Sequence, residues 1–278
     1  MRNAASTEAR IDWLRRLPRL LSDLAARWEL RVAEPFDSRD AGAAWVAPAV
    51  RANGESVVLK IPLPHMECEQ EVAGLRHWAG DPVVRVFESD EATGAMVLER
   101  CLPGTSLREC PAEEQDLVVA TMLRRLWRPR GSVDAFRPLS YMIDAWSTES
   151  AAQSDSWPDR GLVQYGLQIM RELSRPNTRD VLLGTDIHAG NVLRARREPW
   201  LVIDPKPFVG DPAYDATQHL MNCAERLTAE PKRTIEAFAA RLELDSRRVH
   251  AWLFARIAAE PRDLWTESSL RLARALQL

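Results

Sequence analysis

At 278 residues, with 46% hydrophobic residues and a net charge of −3, the chain can hold one large domain or two lobes around a sizeable core. That charge gives no electrostatic case for nucleic acid or an anionic membrane, and no apolar run approaches the roughly 18 residues of a membrane-spanning helix. Cys68, Cys101, Cys110 and Cys223 show no C-x-x-C spacing, which argues against zinc and a disulfide framework and for reduced thiols in a cytoplasmic protein.

The opening MRNAASTEARIDW lacks a continuous apolar segment and is not expected to be a secretory signal. Residues 7 to 28 predict an amphipathic helix, with Ile11, Leu14, Leu17, Leu20, Leu21, Leu24 and Trp28 recurring at three- and four-residue steps. Pro18 is expected to break or kink it. The stripe suits a core cover better than a membrane surface. From Trp28 the period changes. Trp28 to Val32, Trp45 to Arg51 and Val57 to Ile61 read as a meander of antiparallel strands. Asn53-Gly54 predicts a type I′ hairpin turn, whose central residues both take positive φ. The turn from Asp37 to Ala44, with Ser38 and Gly42, is a candidate lid, because small residues let backbone N–H groups approach anionic oxygens.

Lys60 closes the apolar strand Val57-Val58-Leu59. A lysine at that position in a kinase strand reaches the nucleotide phosphates and pairs with a glutamate of the next helix. The helix expected over about Met66 to Trp78 offers Glu67, Glu69 and Glu71, with Leu75 and Trp78 on its buried side. Val83 to Phe87 and Ala95 to Leu98 read as further strands. Glu99 to Gly104 follows as a connector.

Beyond Gly104 the chain turns helical: Leu107 to Cys110, Glu113 to Trp127, Tyr141 to Ser150 and Gly161 to Arg175. The second of these carries a stripe at Leu117, Ala120, Thr121, Leu123 and Leu126. Ser154 to Asp159 is a candidate flexible lid or acceptor loop. Helices over 215–227, 232–242, 247–259 and 267–276 complete the tail. There is no internal repeat, low-complexity tract or long linker, and the tryptophans, sitting among Leu and Ala, read as packing residues.

The informative stretch is Val181 to Asp215, VLLGTDIHAGNVLRARREPWLVIDPKPFVGDPAYD. Asp186 and Asn191 lie in a tight loop, a hairpin follows, and its second strand ends on Asp204. Hard divalent cations such as Mg²⁺ take carboxylate and amide oxygens and share substrate phosphates. Asp-x4-Asn, a hairpin and another Asp is a phosphoryl-transfer arrangement. Asp186 would accept the acceptor hydroxyl's proton, and Asn191 and Asp204 would hold the metal.

Gly184-Thr185-Asp186-Ile187-His188-Ala189-Gly190-Asn191, then Ile203-Asp204-Pro205 and Gly210-Asp211-Pro212, resemble the H-G-D-x-H-x-x-N and I-D-P…G-D-P motifs of the aminoglycoside phosphotransferase and hydroxyurea phosphotransferase family. The likeness is greatest to its streptomycin 6-phosphotransferase branch. Gly184 and Thr185 depart from the pattern's His and Gly. The resemblance implies a two-lobed, protein-kinase-like α+β fold. Residues 1–98 would form a nucleotide-binding lobe of antiparallel sheet with one main helix, 99–104 the connector, and 105–278 a helical lobe with the catalytic loop and acceptor site. ATP would lie in the cleft with Mg²⁺.

The family pattern E-x-x-x-L-R selects Glu71 as the partner of Lys60, with Glu67 in reserve. The connector backbone from Glu99 to Leu102, Cys101 included, would hold the adenine edge. His188 would hold the loop or simply pack in it, and Asp211 and Asp215 would cap or brace local structure. A polycationic aminoglycoside calls for an acidic pocket, for which Glu225, Glu260 and Asp263 are candidates. Hydroxyurea or another small hydroxylated metabolite is the alternative acceptor, and a nucleotide-binding pseudokinase the alternative class. No obligate protein partner is expected.

Overall fold

The structure is a computed structural model and describes residues 8–36, 44–261 and 266–278. The chain divides into two compact units, residues 1–104 with 194–201, and residues 105–193 with 202–278. The expected lobes were continuous in sequence; the observed units are not, because the tip of a hairpin groups with the first.

In the first unit, α1 (Glu8–Arg27) leads into a five-stranded antiparallel sheet of β1 (Leu30–Val32), β2 (Ala44–Arg51), β3 (Ser56–Pro62), β4 (Val86–Ser89) and β5 (Met96–Glu99), ordered β1-β2-β3-β5-β4. Alternation along β3 sends Val57, Leu59 and Ile61 to a core shared with Leu24, Leu30, Ala49, Ala95 and Val97. Leu17, Leu20 and Leu21 of α1 pack on that core, so the apolar stripe is a core cover. Pro18 does not break α1, which runs through it. Proline removes only its own N–H from the ladder, and on this largely exposed helix water can satisfy the carbonyl left over.

The β2–β3 turn also departs from expectation. Gly54 is left-handed at φ 85°, while Asn53 has no positive φ. Arg51 accepts from Gly54 N at 2.9 Å and donates to Glu55 O at 3.0 Å, enclosing a three-residue loop. Such a loop needs one left-handed residue rather than two, and Asn53 instead uses its side-chain oxygen to accept from Glu55 N. Opposite the α1 face of the sheet, the turn Met66–Cys68 precedes α2 (Glu71–Trp78).

The second unit holds α3 (Ala112–Leu126), α4 (Leu139–Ala152), α5 (Arg160–Leu173), α6 (Pro212–Met221), α7 (Ala224–Ala229), α8 (Pro231–Leu242), α9 (Ser246–Ala259) and α10 (Glu267–Ala275). Short ladders pair β6 (Val181–Leu183) with β9 (Phe208–Gly210), and β7 (Val192–Arg194) with β8 (Trp200–Val202). Helix α9 is the hub, with Val249, Trp252, Leu253 and Phe254 fully buried.

Three expectations need correction here. The tail helix expected over 215–227 is two helices, α6 starting earlier because Asp211 caps it and Pro212 occupies its first turn. The buried face of α3 is rotated from the expected stripe: Leu117 is exposed, while Asp116 is buried. Asp116 accepts two bonds from Arg226 at 2.7 Å and contacts His219 Nε2 at 2.8 Å, tying α3 to α6 and α7. The stretch Ser154 to Asp159 is a structured link rather than an open loop, its end held where Asp159 caps α5 and pairs with Arg274.

Candidate active site

The first unit supplies an ion pair. Lys60 is on β3 and its ammonium donates to both carboxylate oxygens of Glu71 on α2, at 2.6 and 2.8 Å. Strand alternation turns Lys60 away from the Val57–Leu59–Ile61 core and toward α2. Both side chains are buried, so each charge depends on the other. Glu67 lies on the preceding turn, Met66–Cys68.

At the connector, Glu99 is an anchor. Its carboxylate accepts from Arg85 N at 3.1 Å and from Arg197 Nε and Nη2 at 2.9 and 2.8 Å. Arg197 also donates to the carbonyls of Gly80 and Val83, which accounts for the grouping of 194–201 with this unit. Burial, reinforced by the Glu99 charge, pushes the Cys101 thiol up to about 12 and keeps it protonated. Ser38 and Gly42 lie outside the described residues.

The second unit carries the loop chemistry. β6 delivers the chain to Gly184, and the loop is held from below by Asp215 of α6. Asp215 is fully buried and accepts from Gly184 N at 3.0 Å, Thr185 N at 2.7 Å and Trp127 Nε1 at 2.9 Å. Burial pushes its carboxyl up to about 6, against the pull of those three donors.

The two departures from the loop motif have local explanations. A side chain at Gly184 would strike Ile187, whose Cγ1 lies 2.6 Å from where a Cβ would sit, so Ile187 fills the space a histidine would need. Thr185 takes the left-handed conformation natural to glycine, at φ 44°, an outlier for a β-branched residue. Its hydroxyl bond to Lys206 O at 2.7 Å and its N–H bond to Asp215 hold it there.

Asp186 is thereby presented half-buried. Asn191 Nδ2 donates to the Asp186 backbone oxygen at 2.9 Å and to its Oδ2 at 3.3 Å. Gln218 Nε2 donates to Oδ1 at 2.6 Å. His188 accepts from Gly190 N through Nδ1 at 3.0 Å and turns Nε2 toward Asp186 Oδ1 at 3.8 Å. Asp204 stands after β8 in a left-handed conformation, φ 56°, with the Lys206 ammonium on its carboxylate. Asp211 caps α6 and accepts from Arg248 and Trp252.

The structure therefore brings Lys60 to Glu71 in one unit, and Asp186 to Asn191 in the other. The acidic candidates lie on separate elements where they are described. Glu225 is exposed in the first turn of α7, Glu260 is engaged by Arg256 at 3.1 Å, and Asp263 lies outside the described residues.

Residues 27–263 match the family model described as aminoglycoside/hydroxyurea antibiotic resistance kinase. The chain belongs to that family. It is 34% identical to a streptomycin 6-kinase of Streptomyces griseus, over 88% of this chain and 82% of the relative. It is 33% identical to a hydroxyurea phosphotransferase of Kitasatospora aureofaciens, over 88% and 72%. Among solved structures it resembles the choline kinase LicA of Streptococcus pneumoniae, with a TM-score of 0.64 at 11% identity over 94% and 97% of the two chains. The fold is thus the two-lobed kinase-like α+β fold, and this member of the antibiotic resistance kinase family is a phosphotransferase.

Sequence reading missed Gln218 and Arg256 in this kinase. Gln218 looks like any polar residue of a surface helix, and Arg256 sits in an otherwise apolar run, Ala255 to Ala259. A charged residue on the buried side of a helix was the available signal.

Proposed function

We propose that this kinase transfers the γ-phosphoryl group of ATP to a hydroxyl of a streptomycin-like aminoglycoside. The observation that carries the reading is the presentation of Asp186. Its carboxylate is fixed by Asn191 and Gln218 on a loop whose backbone is pinned by Asp215. A small-molecule hydroxyl is a weak nucleophile, and a fixed carboxylate both orients it and takes its proton. In the transfer, the hydroxyl oxygen bonds to the γ-phosphorus, the bond from that phosphorus to the β–γ bridging oxygen breaks, ADP leaves, and the hydroxyl proton goes to Asp186.

Lys60, aimed by Glu71, is assigned to the α- and β-phosphates. The connector backbone from Glu99 to Leu102, Cys101 included, is assigned to the adenine edge, and Ser38 and Gly42 to the phosphate lid. The donor set of Asp204 and Asn191, a carboxylate and an amide oxygen, fits Mg²⁺. Those two residues would hold the ion, which when bound supplies positive charge to the phosphate oxygens. Lys206 pairs with the Asp204 carboxylate.

Streptomycin is favoured as acceptor by the streptomycin 6-kinase relative. Hydroxyurea is the second reading, favoured by the hydroxyurea phosphotransferase relative. The engagement of Glu260 by Arg256 weakens one acidic candidate for a polycation and leaves Glu225 and Asp263. The test is the coupled release of ADP with each acceptor in turn. Streptomycin-dependent release supports the first reading, and release with hydroxyurea alone replaces it by the second. Nucleotide binding without turnover would favour a pseudokinase.

A further inference from the structure

Gln218 and Arg256 form a relay to the proposed base. Gln218 is half-buried on the last turns of α6, and its Nε2 donates to Asp186 Oδ1 at 2.6 Å. Its Oε1 accepts from Arg256 Nη2 at 2.8 Å. Arg256 comes from α9 and is 2% exposed. Its Nη1 donates to Thr217 Oγ1 at 2.7 Å, its Nε to Glu260 at 3.1 Å, and its guanidinium carbon lies 4.5 Å from the centre of the Tyr214 ring. It cannot swing away without leaving a buried charge unpaired.

A guanidinium has donors and no acceptor. The amide oxygen of Gln218 must therefore face Arg256, and its NH₂ must face Asp186. Without Arg256 the amide could present either end. With it, Asp186 Oδ1 meets the NH₂ end of the amide, which fixes the plane of the carboxylate. We propose that Gln218 is a positioning residue for Asp186, with its amide orientation imposed by Arg256. This rests on Asp186 being the base.

A purely structural tie between α6 and α9 would use the same bonds, so the test must read the Gln218 amide itself. Its side-chain NH₂ signals are followed by ¹⁵N NMR in the free protein at one pH, assigned by their loss in Gln218→Leu, and compared in wild type, Asp186→Ala and Arg256→Met. An NH₂ group bonded to the Asp186 carboxylate should exchange slowly with water, and that protection should fall about tenfold in Asp186→Ala and in Arg256→Met. In turnover, Gln218→Leu should lower kcat about tenfold and leave the KM for ATP unchanged. Amide protection as high in Asp186→Ala and Arg256→Met as in wild type overturns the proposal even if stability falls. If wild type shows no turnover with any acceptor, the functional reading fails, and the amide signals still decide the relay.

Discussion

Asp215 shows how one buried residue can govern a loop that it does not belong to. Its pKa is pushed up from 3.8 to about 6 by burial, so folding favours its protonated form. The stability it contributes is full below its ordinary value and is lost as pH rises through about 6. Function runs the other way, since only the ionised carboxylate accepts all three donors without a competing proton. Activity should therefore fall as pH drops through about 6. Asp215→Asn turns an NH₂ toward N–H donors, and should cost about 100-fold in kcat if the loop shifts by an ångström; steady-state kinetics from pH 5 to 9 check both. Thr185 offers a finer balance. Its left-handed backbone costs about 1–2 kcal/mol, and its hydroxyl bond to Lys206 O returns about 1 kcal/mol. Thr185→Ala keeps the strain and loses the bond, so urea unfolding should show about 1 kcal/mol less stability. Thr185→Gly relieves the strain as well and should stay within about 1 kcal/mol of wild type after its greater unfolded-state entropy.

The same residues mark what could be read in advance. Asp186, Asn191 and Asp204 were singled out by local spacing, Lys60 by its place at a strand end, and Glu71 as its partner by the family pattern E-x-x-x-L-R. Gln218 and Arg256 gain their meaning from bonds spanning 32 and 38 residues, which no local period encodes. Thr185 could not be placed from propensity, because tertiary bonds hold it in a conformation it would otherwise avoid.

At the scale of elements, α3, α6 and α7 are joined by a polar tie. Burial would raise the Asp116 carboxyl, but Arg226 and His219 outweigh it and hold it down at about 2. The sign is opposite to that of Asp215: this stability is present above about 3.8 and lost as pH falls from there toward 2. Asp116→Asn breaks both charged partnerships, and should cost about 2–3 kcal/mol after allowing for the partial exposure of Arg226. Equal urea midpoints for variant and wild type at pH 7 would show the tie to be neutral. The α3 stripe was misjudged for the same reason, since apolar periodicity alone puts Leu117 inside, whereas Asp116 is tolerated there by its partners. The strands were legible because period two, the Asn53-Gly54 turn and the change of pattern at Trp28 agree. Their exact ends were not, as with β4, which starts at Val86 rather than Val83.

For the whole molecule, a β-rich first part, a helical second part and the motif-bearing hairpin between them, read with the family resemblance, indicated the kinase-like fold, and each part buries its own apolar pattern: the α1-covered sheet in one unit and the α9-centred helices in the other. The hairpin tip at 194–201 was invisible as a member of the first unit, since Arg197 makes its contacts with residues about a hundred positions away. Among the described residues no helix is long and apolar enough to cross a membrane. The acceptor is the least legible feature, because the motifs specify the transfer machinery and none of them specifies the acceptor.

Phosphoryl transfer through Asp186 is tested most directly by ADP release from Mg²⁺-ATP by the purified protein in the presence of streptomycin, with Asp186→Ala and Asp204→Ala in parallel. The wild type should give acceptor-dependent ADP release and a phosphorylated aminoglycoside, with a loss of at least about 1,000-fold in both variants. Acceptor-dependent turnover that survives Asp186→Ala would contradict transfer through Asp186.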